Sequence, residues 1–221
     1  MTNYSNFYGE SDPRDVPHYG ATEAARIVRG IPTSTLRSWF SGNNPTIAPS
    51  KTTPLTLSFN NLVEAAILRT LRVKHEIKMS AVREAKSEAE KKLNIERLFL
   101  HEGLRTDGVE LFVYAYGVCT NLSRSAQLTI TEILSVQLSR IEYTENFASR
   151  IYPLIGNNNS SRDICVDPLI SFGKASIANR NIPTEIINTR FNNGETIEEL
   201  MADYALEKQQ VVSAVVFEEA A

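Results

Sequence analysis

The residues of this chain that could make or break bonds are three histidines, two cysteines and a scatter of acids, and their spacing supports no such chemistry. His18, His75 and His101 form neither an HxH nor an HExxH pattern, so no zinc-holding helix face is expected. Cys119 and Cys165 lie far apart, with no CxxC and no paired histidine, and they read as buried structural thiols. Asp203 with Glu199 or Glu198 falls on a helix surface, where carboxylates need only be solvated. The signatures GxGxxG, GxxxxGKS/T and GxSxG do not occur, so phosphate cradles and serine elbows are not expected. These residues predict a non-enzyme with no catalytic group, no metal and no cofactor.

Charge divides the chain unevenly. Residues 1–150 carry eighteen Lys+Arg against sixteen Asp+Glu, and residues 151–221 carry five against ten, so +2 and −5 give the net −3. Phosphate contact dominates affinity for DNA, so an acidic C-terminal third is a poor duplex binder. It suits a basic protein partner better, unless the acids are simply a solvated face. From Arg69 to Arg97 nine Lys+Arg face five Glu. That strip could support DNA backbone binding, or Glu84, Glu88 and Lys92 could be a solvated i, i+4 pattern.

The elements that would position a binding surface begin at Val16. Thr22 is expected to cap a first helix running to Val28, and Gly30 to break it. Ile31-Pro32-Thr33 then opens a second helix from Ser34 to Phe40, with Leu36 and Phe40 inside and Gly42 as its stop. Helix, glycine turn and capped helix at this spacing is a helix-turn-helix signal. The run YGATEAARIVRGIPTSTLRSWF resembles the start of MerR-like winged helix-turn-helix domains, with Thr35-Leu36-Arg37 and Trp39 at the recognition helix. On that resemblance Ser34, Thr35, Arg37 and Ser38 would meet base edges and phosphates, and Arg26 and Arg29 would hold backbone. Lys51 would belong to a wing before Leu55–Phe59. Trp39 reads as core or boundary, or as a base contact; Arg37 could instead be an exposed arginine paired with a nearby acid.

Short β-prone pieces at Ile164–Val166, Ala175–Ile177 and Asn181–Ile182 suit small hairpins. Pro183 and Thr184 then open a helix that stops at Gly194, Thr196 to Glu199 is a capping box, and Val211, Val212, Val215 and Val216 give a last helix its buried stripe. The region Ile164–Glu219 resembles the small C-terminal module of VapB-type antitoxins, through Asp167-Pro168, Ser171-Phe172-Gly173-Lys174, Ile182-Pro183-Thr184, Arg190-Phe191, Gly194–Leu200 and Asp203-Tyr204. This implies an antitoxin that neutralises a PIN-like RNase toxin and autoregulates its promoter. Phe172, Arg180, Phe191 and Tyr204 would contact the toxin, with Phe191 and Tyr204 equally placed to be core. A stand-alone MerR-like regulator with a ligand- or partner-sensing C-terminal module is the alternative, and an enzyme-associated scaffold with no DNA role a third.

The chain between these ends reads as helical, mixed, then helical. Asn60 is expected to cap a long helix, Asp107-Gly108 to turn a hairpin between Leu98–His101 and Glu110–Tyr114, and Ile130 to Ile141 to form an apolar helix. That helix could be a homodimer seam, a toxin groove or ordinary core. The low-complexity run Asn157–Ser161 marks a linker at 153–162 between a DNA-binding and dimerisation region (16–152) and the C-terminal module (163–221). The fold class expected is mainly α with small β elements, a winged helix-turn-helix plus a trihelical module. No apolar run approaches the length of a membrane span, and a cytoplasmic location is expected.

Overall fold

A computed structural model describes residues 11–41, 45–49, 51–74, 78–155 and 161–219. Gly42, His75 and half of the expected linker (156–160) lie outside these. The described chain is mainly helical with small antiparallel sheets.

The N-terminal elements are β1 (Tyr19–Gly20), α1 (Ala21–Val28), α2 (Thr33–Trp39), β2 (Lys51–Thr52) and β3 (Leu55–Leu57). The strands pair antiparallel in the order β1-β3-β2, with Tyr19 opposite Leu57 and Lys51 opposite Thr56. Helix α1 forms because Ala21, Ala24, Ile27 and Val28 recur on one buried face. Thr22 does not cap it; the helix starts two residues earlier than such a cap would give, after Gly20, because β1 delivers the chain straight into its first turn. Arg29 and Gly30, both at positive φ, end it. Pro32 precedes α2, whose Leu36 and Trp39, with Phe40 beyond them, are buried.

Next come α3 (Phe59–Lys74), α4 (Met79–Leu93), α5 (Gly108–Thr120) and α6 (Arg124–Leu138). The expected cap Asn60 sits inside α3 and donates to Asp15 at 2.8 Å. Ser58 and Asn61 perform the capping instead: the Asn61 amide donates to Ser58 Oγ at 3.3 Å and the Ser58 amide to Asn61 Oδ1 at 3.2 Å. Asp107-Gly108 turns no hairpin. Leu98–Leu100 and Glu102–Leu104 are 3₁₀ turns, and the supposed second strand is helix α5. Val109, Phe112, Val113 and Tyr116 have helical spacing and are buried, so tertiary burial overrode the dipeptide signal. Gly108 serves close approach: a Cβ there would stand 2.7 Å from the Gly103 carbonyl oxygen. Ile141, expected at the end of an apolar helix, opens a hairpin of β4 (Ile141–Thr144) and β5 (Phe147–Ile151), turned at Glu145 and Asn146 with both φ positive.

The C-terminal part is a sheet of β6 (Ile164–Cys165), β7 (Ser176–Ile177) and β8 (Ile182–Pro183), followed by α7 (Thr184–Asn192), α8 (Ile197–Tyr204) and α9 (Lys208–Glu219). The capping box is present, with the Thr196 amide donating to Glu199 at 2.7 Å and the Glu199 amide to Thr196 Oγ1 at 3.2 Å. Thr184 caps nothing; its buried hydroxyl donates to Glu218 at 2.5 Å and lies 3.1 Å from the Ala175 carbonyl, tying α7 to the sheet and to α9. On α9, Val211, Ala214, Val215 and Phe217 are buried while Val216 is exposed, so the valine stripe is rotated from the expected one. A single apolar cluster runs from Tyr19 and Ile27 through Leu68, Phe112 and Leu134 to Ile187 and Phe217.

Candidate functional site

Helix α2 presents a polar edge held rigid from behind. Leu36, Trp39 and Phe40 anchor it in the core, which leaves Ser34, Arg37 and Ser38 exposed and Thr35 half-buried. Ser38 Oγ donates to the Thr35 carbonyl at 2.6 Å, and Ser41 Oγ to that of Arg37 at 2.8 Å. Arg37 is exposed, and no acid pairs with its guanidinium among the described residues. Trp39 is 1 % exposed and belongs to the core. Lys51 pairs through its backbone with Thr56 in the hairpin whose β3 packs against α1; its side chain lies outside what is described.

Arg26 does not join this edge. Its guanidinium pairs with Glu218 of α9 and lies 5.8 Å from the Phe217 ring centroid. Arg29 likewise turns inward, donating to the Leu154 carbonyl at 3.0 Å. Three cations of the basic strip of residues 69–97 are held in ion pairs: Lys86 with Glu64 at 3.2 Å, Lys92 with Glu88 at 2.6 Å and Arg97 with Asp15 at 2.9 Å. Two of these pairs line a cleft of ≈ 410 Å³ with Ala48 and Asn61. Burial raises the Glu64 carboxyl above its ordinary range, with Lys86 opposing the shift.

The four C-terminal candidates separate into two pairs. Phe172 is 64 % exposed, on a 3₁₀ turn (Ser171–Gly173), and Arg180 is exposed between Asn179 and Asn181, both at positive φ. Ser171 Oγ donates to the Asn181 carbonyl at 3.2 Å, which brings these two turns together. Phe191 and Tyr204 are half-buried against the core. Arg190 lies 5.1 Å from the Tyr204 ring centroid and donates to Glu195 at 2.8 Å, so Tyr204 is part of the packing between α7 and α8.

The segment expected as a seam, a groove or core does expose Val136. With it stand Tyr114, Val118 and Leu128, which sequence reasoning missed, as apolar surface on α5 and α6. Tyr114, Val118, Leu128 and Val136 are 58, 62, 63 and 55 % exposed. Leu128 and Val136 are eight residues apart and off the buried face formed by Ile130, Leu134 and Leu138, and that offset was the available signal. Cys119, read as a buried thiol, is exposed; Cys165 is buried, which pushes its thiol up to about 11. Among the described residues no group of His, Cys, Asp and Glu could hold a metal ion, and no helix is long and apolar enough to cross a membrane.

The mainly helical fold with small antiparallel sheets is shared with a solved protein: the X-ray crystal structure of Rv2018 from Mycobacterium tuberculosis superposes with a TM-score of 0.73. The likeness covers 90 % of this chain and 98 % of that one at 22 % identity, and it establishes the fold alone. Residues 164–217 match the model of a family described as proteins of unknown function, DUF433. No curated protein matches the chain.

Proposed function

We propose that this protein is an antitoxin that reads its own operator through a MerR-like winged helix-turn-helix and holds a PIN-like RNase toxin through its C-terminal module. The observation that carries the reading is Arg37, an exposed guanidinium with no ion pair among the described residues, set among hydroxyls on a helix locked by Leu36 and Trp39. In this reading α1, the Arg29-Gly30 turn and α2 are the helix-turn-helix, and the β2–β3 hairpin is the wing. Ser34, Thr35 and Ser38 position the helix on phosphates while Arg37 reads a base edge. Arg37→Ala is expected to weaken operator binding by about 1–3 kcal/mol, because a bidentate arginine–guanine contact is lost. A gel-shift titration at fixed salt checks this, and unchanged affinity would remove Arg37 from the interface.

The toxin-facing surface is the pair of adjacent turns that carry Phe172 and Arg180, within the acidic region 163–221. Arg180→Glu combined with Phe172→Ala is expected to abolish rescue of cells expressing the toxin while leaving operator binding intact. Retained rescue would place the inhibitory surface elsewhere. Point substitutions are required, since cutting the chain after residue 161 would strip Ile187, Val211 and Phe217 from the shared core.

A two-fold operator needs two copies of the reading helix. The α5–α6 surface supplies a self-complementary face. Two α6 helices crossing antiparallel at Leu128 would set Arg124 of each copy against Glu132 of the other, and both residues are exposed without an ion pair among the described residues. Leu128→Glu is expected to yield monomer in sedimentation at micromolar protein, where the parent chain is dimeric. A dimer unaffected by this change would move the seam off α6.

A further inference from the structure

Helix α2 is followed by a short return that bonds back to its last turn. Ser41 Oγ donates to the Arg37 carbonyl, and the amides of Thr46 and Ile47 both donate to the Trp39 carbonyl, at 2.9 and 3.1 Å. Thr46 is thereby held at the carbonyl end of α2, in the segment that leads on to β2 of the wing. Ile47 is 2 % exposed and anchors the return in the core, whereas Thr46 is half-buried. A cation from a distant helix meets this point. Arg83 of α4 donates from Nη1 to Thr46 Oγ1 at 3.2 Å.

A purely structural tie would ask of Arg83 only the Thr46 hydroxyl and the carbonyl end of α2, whose dipole favours a cation. Its charge would then be balanced by an acid, as the charges of its neighbours on α4 are: Lys86 is paired with Glu64 at 3.2 Å and Lys92 with Glu88 at 2.6 Å. Arg83 differs from both. Among the described residues no acid pairs with it, and its Nε and Nη2 have no acceptor. Neither nitrogen is among the buried ones left without an acceptor, as Arg69 Nε is. One nitrogen of a half-buried guanidinium is thus anchored and the rest of the fork is uncommitted. A planar fork held in this way loses little further freedom when it meets a phosphate.

We infer that Arg83 grips the phosphate backbone of DNA where the reading helix gives way to the wing. The inference rests on the winged helix-turn-helix reading and deepens it with a contact from α4, outside the helix-turn-helix and the β2–β3 hairpin. Arg83 and Arg37 then divide the work. Arg37 reads a base edge, while Arg83 supplies attraction that is independent of sequence, because a phosphate oxygen carries no sequence information. Thr46 holds the guanidinium in place and touches no DNA.

The test is a fluorescence-anisotropy titration of the full chain with two duplexes of equal length, one from upstream of its own gene and one scrambled. Salt is varied from about 50 to about 200 mM, a range over which phosphate contacts change affinity steeply. Arg83→Gln is expected to lower the slope of log affinity against log salt by about one on both duplexes. Its deficit against the parent therefore shrinks about three- to fourfold across that range. Arg83→Lys keeps the charge and is expected to keep the parent slope, as is Thr46→Val, which removes only the anchor. Arg83→Met replaces the glutamine variant if that variant fails to fold. Lys208→Gln removes a charge from an exposed site on α9 and is expected to match the parent. Equal weakening by Arg83→Gln, Arg83→Lys and Thr46→Val at the parent slope identifies a structural tie and overturns the contact, as does unchanged binding by Arg83→Gln. A parent that binds neither duplex removes the winged helix-turn-helix reading and this contact together. A parent that loses its preference for the upstream duplex in Arg37→Ala, yet is indifferent to Arg83→Gln, loses only this contact.

Discussion

Truncating Phe217 to alanine is expected to cost about 3–5 kcal/mol, the range for removing a fully buried large aromatic where the surroundings relax only partly. Phe217 is completely buried near the end of α9, and the Arg26 guanidinium of α1 lies over its ring. It therefore joins the last helix of the chain to the first. The cavity would open between the trihelical part and the N-terminal helices rather than within either. Denaturant unfolding followed by tryptophan fluorescence and by circular dichroism measures it, since Trp39 reports on the N-terminal core and the far-ultraviolet signal on all helices. The two probes are expected to move together and to lose stability together. If Trp39 unfolds at an unchanged midpoint while helical signal is lost earlier, residues 16–152 and 163–221 fold independently, and the shared cluster contributes little.

Arg26→Ala is expected to destabilise by about 2–3 kcal/mol and to leave the salt dependence of DNA binding unchanged. The Glu218 side chain is only 7 % exposed and keeps a hydrogen bond from Thr184, but without Arg26 it is a charge held out of water with its cation gone. The figure sits below that for a fully buried pair because the Arg26 side chain is 29 % exposed and water screens part of the attraction. A double-mutant cycle with Glu218→Gln isolates the pair, and a coupling near zero would count against it. The resemblance had placed Arg26 on a phosphate. A phosphate contact would lower the slope of log affinity against log salt by about one when removed. An altered slope in the variant would return Arg26 to the interface.

Signals confined to one turn or one helix face could be read without coordinates. Arg29-Gly30 and Gly194 ended helices where backbone sterics require positive φ, and the Thr196–Glu199 box formed because both partners lie within three residues. Leu36 and Phe40 were legible as core because helical spacing alone places them behind Arg37. The same spacing left Ser34, Arg37 and Ser38 outward, and so much of the candidate site was present in the residue order. Short signals failed where a long-range contact competed with them. Asp107-Gly108 looked like a hairpin turn, yet Phe112 and Tyr116 gain more by burial in a helix, and Gly108 was needed for its missing Cβ. Thr184 looked like a cap, yet its hydroxyl is claimed by Ala175 and Glu218 from distant parts of the chain.

Composition and periodicity by themselves determined a mainly helical chain with small sheets, an acidic C-terminal third and a helix with a polar edge, because each depends on neighbours a few residues apart. Which cations remain available was decided only by the tertiary structure. Arg26, Lys86 and Arg97 find acids that are 192, 22 and 82 residues away in sequence, whereas Arg37 finds none among the described residues and Arg69 meets other arginines. Ion pairing and burial act through space, and residue order carries no measure of the distance across a fold.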